Sequence, residues 1–124
     1  MQKKMLAGAA VLGFSLLFVG GQVQAQGAAK PQVVAVKLSE WTMGMMDMKV
    51  KGPVQFDIVN EGKYPHVFTL EGKIGDQSIA VSSILLKANE KTSLTLLLPA
   101  GSYTVYCPLP GHADKGMKGT LTVQ

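Results

Sequence analysis

Residues 106–119 read YCPLPGHADKGMKG, and three residue types that are scarce elsewhere fall together within them. Cys107 is the only cysteine of the 124 residues, His112 is one of two histidines, and Met117 follows. Cys107 and His112 stand five positions apart, as do His112 and Met117. Strands and helices repeat with periods of about 2.0 and 3.6 residues, so neither brings three side chains at that spacing to one point. A loop does, and Pro108, Pro110, Gly111, Gly116 and Gly119 punctuate this segment as one. Pro108 and Pro110 also lack N–H groups, which restricts the loop and limits hydrogen bonding near the sulfur.

Outward from the loop, period-2 alternation dominates and no long 3.6-residue stripe appears. Tyr103, Val105 and Cys107 point one way along a strand while Thr104 and Tyr106 point the other, and Leu121 and Val123 form a last short strand. Val34, Val36 and Leu38 suit one face of a first strand. Val54, Phe56 and Ile58 form another, introduced by Gly52-Pro53 and closed by Asn60-Glu61-Gly62. His66, Phe68 and Leu70 share a face of the next, and Leu94, Leu96 and Leu98 continue the pattern up to Pro99-Ala100-Gly101. The stretch from Asp76 to Ala88 fits either a strand or a short helix. Seven to eight short strands at this spacing predict an all-β fold, an antiparallel β-sandwich.

The remaining histidine, His66, lies in YPHVF, about 40 residues before the loop. A neighbouring strand can carry it to the same end of the sandwich. Two imidazoles, one thiolate and one weak thioether are the donor set of a blue-copper electron-transfer site. The expected metal residues are therefore His66, Cys107, His112 and Met117. Taken singly, each has a plainer reading: a surface or core histidine, a small buried thiol, a packing methionine. Structural zinc is the chemical competitor, but it favours more Cys, His or carboxylate and gains little from a thioether.

The first 25 residues read as a signal peptide. Lys3 and Lys4 precede an apolar stretch from Met5 to Gly21, and Val23-Gln24-Ala25 resembles a small-residue cleavage site. An uncleaved anchor is the alternative, although a membrane span needs about 20 apolar residues. The division expected is residues 1–25 as signal, 26–32 as a flexible lead-in and 33–124 as one domain. Export places the chain in the periplasm or outside the cell, where small domains usually carry disulfides. One cysteine cannot form an internal bridge, and metal ligation accounts for it. Without the leader, ten lysines face eight acidic residues and there is no arginine, a balance too mild for nucleic-acid binding.

Two segments carry a family resemblance. KVKGPVQFDIVNEGKYPHVFTLEG, residues 49–72, resembles the strand, Asn-x-Gly loop and first ligand histidine of the cupredoxins. PAGSYTVYCPLPGHADKGMKGTLTV, residues 99–123, resembles their strand, Cys–His–Met loop and closing strand. The chain thus resembles the plastocyanin- and azurin-like small blue-copper proteins. That resemblance implies a Greek-key sandwich holding one copper ion, with His66, Cys107 and His112 equatorial and Met117 axial. It implies one-electron transfer by Cu(I)/Cu(II) cycling, not enzymatic turnover. The partners expected are redox proteins such as a c-type cytochrome or a terminal oxidase, and the chain is expected to be a monomer touching membrane only through an uncleaved signal segment. Plastocyanins commonly place Asn after the first ligand histidine; Val67 stands there in this chain.

Apart from Met117, the methionines beyond the leader are Met43, Met45, Met46 and Met48. In a regular strand Trp41, Met43 and Met45 share one face and Met46 and Met48 the other. Thioethers select Cu(I), so the alternative function is copper trafficking to an oxidase with this segment as the entry site. Adaptable packing is the simpler expectation. A copper enzyme is excluded by counting, because its further copper sites need histidines or a second cysteine that the chain lacks. For the electron carrier, His112 is expected near the surface within an apolar collar of Leu109, Pro110 and Met117.

Overall fold

The computed structural model describes residues 30–45 and 47–124. The expected signal segment, residues 1–25, lies outside the described residues, as do 26–29 and Met46. Eight strands follow in order: β1 Gln32–Leu38, β2 Met48–Val50, β3 Val54–Asn60, β4 Thr69–Ile74, β5 Gln77–Ser82, β6 Lys91–Leu96, β7 Gly101–Tyr106 and β8 Lys118–Val123. They form a three-stranded sheet, β1-β3-β6, and a five-stranded sheet, β2-β8-β7-β4-β5. The two-sheet β-sandwich expected from the alternation is therefore present. Two pairings run parallel, β1 with β3 and β2 with β8. Alternation along one strand carries no information about a neighbour's direction, so this feature emerges only in three dimensions.

β1 shows how the pattern works. Val34, Val36 and Leu38 are buried, while Val33, Ala35 and Lys37 face out. Val54, Phe56 and Ile58 of β3 fill the same layer, and Leu70, Tyr103, Val105, Leu121 and Val123 meet them from the other sheet. Phe56 and Phe68 pack with ring centroids 5.0 Å apart. Burying side chains of this size stabilises by about 1.5–3 kcal/mol each. Tyr103 is buried only because its hydroxyl donates to the Pro99 carbonyl at 2.7 Å. The ambiguous stretch from Asp76 resolves as strand β5, paired with β4 across a two-residue turn at Gly75-Asp76, and then runs on to meet His66 at Leu86.

Two departures position the site. His66 precedes β4, which begins at Thr69, and all five residues from His66 to Leu70 are buried. The one-faced strand expected there is covered on both sides, by the Leu86 segment and by the 106–119 loop. The segment joining β1 to β2 is likewise no regular strand. Ser39 and Thr42 bond each other's backbone in a tight turn, so Glu40 and Trp41 project from its tip.

Phe56→Ala is expected to lower unfolding free energy by about 3–5 kcal/mol, since the site cannot collapse onto Phe68. Thr95→Ala, at an exposed position, should stay within about 0.5 kcal/mol. Urea titration of the two variants side by side checks both values.

Candidate metal centre

The descent from β3 to His66 is fixed by Asn60, a fully buried side chain. Its amide donates to the carbonyls of Tyr64 and Leu86 at 2.8 and 2.9 Å, and its Oδ1 accepts the Gly62 N–H at 2.8 Å. This Asx turn leads the chain to His66. His66 then exchanges two backbone hydrogen bonds with Leu86, at 3.0 and 2.9 Å. The Asn-x-Gly motif is thus the device that delivers the histidine.

The 106–119 loop is closed on itself. Cys107 N–H donates to the Met117 carbonyl and Met117 N–H to the His112 carbonyl, both at 3.1 Å. His112 N–H donates to Leu109, and one 3₁₀ turn, Ala113–Lys115, completes the circuit. These bonds make a compact hairpin of a stretch that has no regular repeat. Met117 and Cys107 are fully buried beneath it.

His66 Nδ1 lies 3.3 Å from His112 Nδ1, and His112 Nδ1 lies 3.5 Å from Cys107 Sγ. The three donor atoms all fall within 4.8 Å of one another. Two nitrogens and a sulfur bound at about 2.0–2.3 Å to a shared first-row ion sit about 3.3–3.8 Å apart when they surround it. The two hydrogen-bonded edges match that range, and the donor set, imidazole plus thiolate, suits copper. Sγ also accepts the Val67 N–H at 3.5 Å. Val67 therefore supplies a donor to the sulfur from its backbone, at the position where the side chain has none to offer.

Two residues that the local sequence pattern does not mark surround the histidines. The Glu40 carboxylate accepts the N–H groups of Lys63 and Tyr64 on Oε1 and meets His66 Nε2 through Oε2 at 3.1 Å. Burial acts to raise the Glu40 carboxyl, but the Lys63 amide, the hydrogen bond and charge of His66, and the Tyr64 amide outweigh it and lower it to about 2. Trp41 packs edge-on against His112, centroids 4.8 Å apart, and stacks with Tyr64 at 6.0 Å. Lys115 Nζ sits 4.4 Å over the Trp41 ring. Burial first, and then the proximity of His66 and Lys115, hold the His112 imidazole below its ordinary pKa against a smaller opposing pull from Glu40. The lone tryptophan beside a glutamate was visible in the sequence, but nothing there ties it to residues 66 or 112.

The apolar collar differs from expectation. Met117 is fully buried and contributes no surface, whereas Trp41 takes the place beside His112. Leu109 is half-buried and Pro110 exposed. Met43 and Met45 pack into the core, and Met48 is half-buried.

A β-sandwich carrying clustered His, Cys and His donors at one end defines a cupredoxin-type metal protein. The family profile of copper binding proteins, plastocyanin/azurin family, matches residues 44–124, and the chain belongs to that family. Copper is its cofactor, and the clustered imidazole and thiolate donors suit that ion. Auracyanin-B of Chloroflexus aurantiacus is 52% identical over 40 residues, which span 32% of this chain and 17% of that protein. A solved auracyanin B structure superposes with a TM-score of 0.65 at 25% identity, covering 78% of this chain and 92% of that one. Auracyanin A, a "blue" copper protein from the same green thermophilic photosynthetic bacterium, gives a TM-score of 0.64 at 19% identity over 77% of this chain and 100% of that one, a likeness of fold.

Asn60→Ala should destabilise the metal-free protein by about 2 kcal/mol, because it removes three hydrogen bonds made by a fully buried side chain, one of them to the buried Leu86 carbonyl. Denaturant titration measures this, and the same variant should bind copper more weakly because His66 is no longer delivered.

Proposed function

We propose that the protein is an exported single-electron carrier in which His66, Cys107 and His112 would hold one copper ion, with Met117 as a weaker fourth ligand. The observation that carries this reading is the convergence of the two Nδ1 atoms and the buried Sγ on one point. When bound, copper supplies a one-electron couple, Cu(I)/Cu(II). The chain's part is to keep the donors in place in both states. The His66–Leu86 bridge and the loop's internal hydrogen bonds resist movement, and the fully buried thiol keeps water from the sulfur. A donor frame that does not relax keeps reorganisation small.

Exchange with a partner is assigned to the His112 side, where Trp41, Leu109 and Pro110 offer a small, partly apolar surface for brief docking. A redox protein such as a c-type cytochrome or a terminal oxidase fits such a role. The leader pattern of residues 1–25 supports export. Burial of Met43 and Met45 speaks for packing rather than for a Cu(I) entry site, so trafficking is the weaker reading.

The copper-loaded protein is expected to show an intense blue or green thiolate-to-metal charge-transfer band, and Cys107→Ser should abolish it. Met117→Gln should retain one bound copper and shift the reduction potential, because a thioether would be the weakest of the four ligands. A colourless copper-loaded wild type would overturn the reading. Loss of the whole site on Met117→Gln would remove the assignment of Met117 as a weak fourth ligand.

A further inference from the structure

We infer that Glu40 is a positioning residue of this centre: its carboxylate fixes His66 with Nε2 protonated and Nδ1 turned to the ion, and sets a negative charge one imidazole ring away that favours Cu(II) over Cu(I). The inference deepens the copper reading and rests on it.

Three N–H groups converge on this one side chain. Lys63 N–H and Tyr64 N–H both reach Oε1, and His66 Nε2 reaches Oε2 at 3.1 Å. An ionised carboxylate only accepts hydrogen bonds, so its partner on the ring is Nε2–H. The other nitrogen, Nδ1, is then left with its lone pair facing His112 and Cys107. His66 is fully buried, and a ring so placed has no water to satisfy Nε2 if the carboxylate is withdrawn. Carboxylate partners of metal-bound histidines orient the ring and raise its basicity in this manner.

The seat is shaped for the carboxylate. A Cβ at Gly62 would stand 1.8 Å from Glu40 Oε2, so any side chain at residue 62 drives the carboxylate from its place. The neighbour is fitted in the same way, since a Cβ at Gly116 would stand 2.7 Å from the Trp41 carbonyl oxygen. The turn carrying Glu40 and Trp41 therefore lies against both the His66 approach and the 106–119 loop, and it reaches both histidines from one tip.

Glutamine cannot substitute. Its amide has one acceptor oxygen, so its NH₂ must face either the two backbone N–H groups or the ring nitrogen. In the second case His66 is forced to accept at Nε2, and the proton moves to Nδ1, where the ion must bind.

The test uses the full protein with and without copper. In the metal-free wild type at a pH where the imidazole is neutral, ¹⁵N chemical shifts should report His66 as a single Nε2–H tautomer; a mixture overturns the inference. Glu40→Gln should give mixed tautomers. It should also weaken the preference for Cu(II) over Cu(I) about ten-fold, a rise of about 59 mV for a one-electron couple, while the intense band persists. Gly62→Ala keeps the charge and displaces only the flexible end of a side chain, so it should fold and reproduce the tautomer change. Asp57→Asn, on the outer face of β3, removes one charge elsewhere and should leave the potential in place. Wild-type tautomer and potential in Glu40→Gln would sink the assignment. Absence of the band in the wild type would instead overturn the copper reading, and the metal-free spectra would still decide what Glu40 does.

Discussion

The paired backbone hydrogen bonds between His66 and Leu86 are the constraint on which the centre depends. They join the end of the β3 descent to the chain leaving β5, and so tie the first histidine to the body of the five-stranded sheet. Leu86 O accepts twice, from His66 N–H and from the Asn60 amide. Asn60 in turn sets the turn that Glu40 caps through Lys63 and Tyr64. Among the described residues every buried side-chain nitrogen and oxygen has a hydrogen-bond partner, which is what permits an imidazole with no solvent exposure.

The loop solves the complementary problem. Cys107 stands one residue beyond β7 and Met117 one residue before β8, two strands that are hydrogen-bonded neighbours. The Cys107–Met117 backbone bond extends that ladder by one step, so the sheet itself aligns the sulfur-bearing residues. Only His112 must be placed by the loop proper, and the 3₁₀ turn and its bond to Leu109 do that.

The sequence was readable where chemistry or period left one solution. Buried Val34, Val36, Leu38, Phe56 and Ile58 follow the alternation, and the scarcity of His and Cys left little freedom in choosing donors. The parallel pairings of β1 with β3 and β2 with β8 were hidden, since pairing direction depends on the path of the connections. So was the role of residues 40 and 41. A conditional strand from Trp41 through Met45 assigned Trp41 to the face of Met43, but the Ser39–Thr42 turn breaks that phase and swings the indole to His112. The partnership of Glu40 with His66, across 26 positions, leaves no trace in local composition.

The donor to the sulfur is a main-chain amide. Any residue at position 67 whose side chain fits the buried space that valine fills keeps that N–H aimed at Cys107; proline alone deletes the N–H itself. The contact is set by the backbone path and not by the chemistry of the side chain at residue 67. A single side-chain replacement therefore reaches the electrostatics of this centre more readily through Glu40 or Trp41 than through the thiolate's own hydrogen bond.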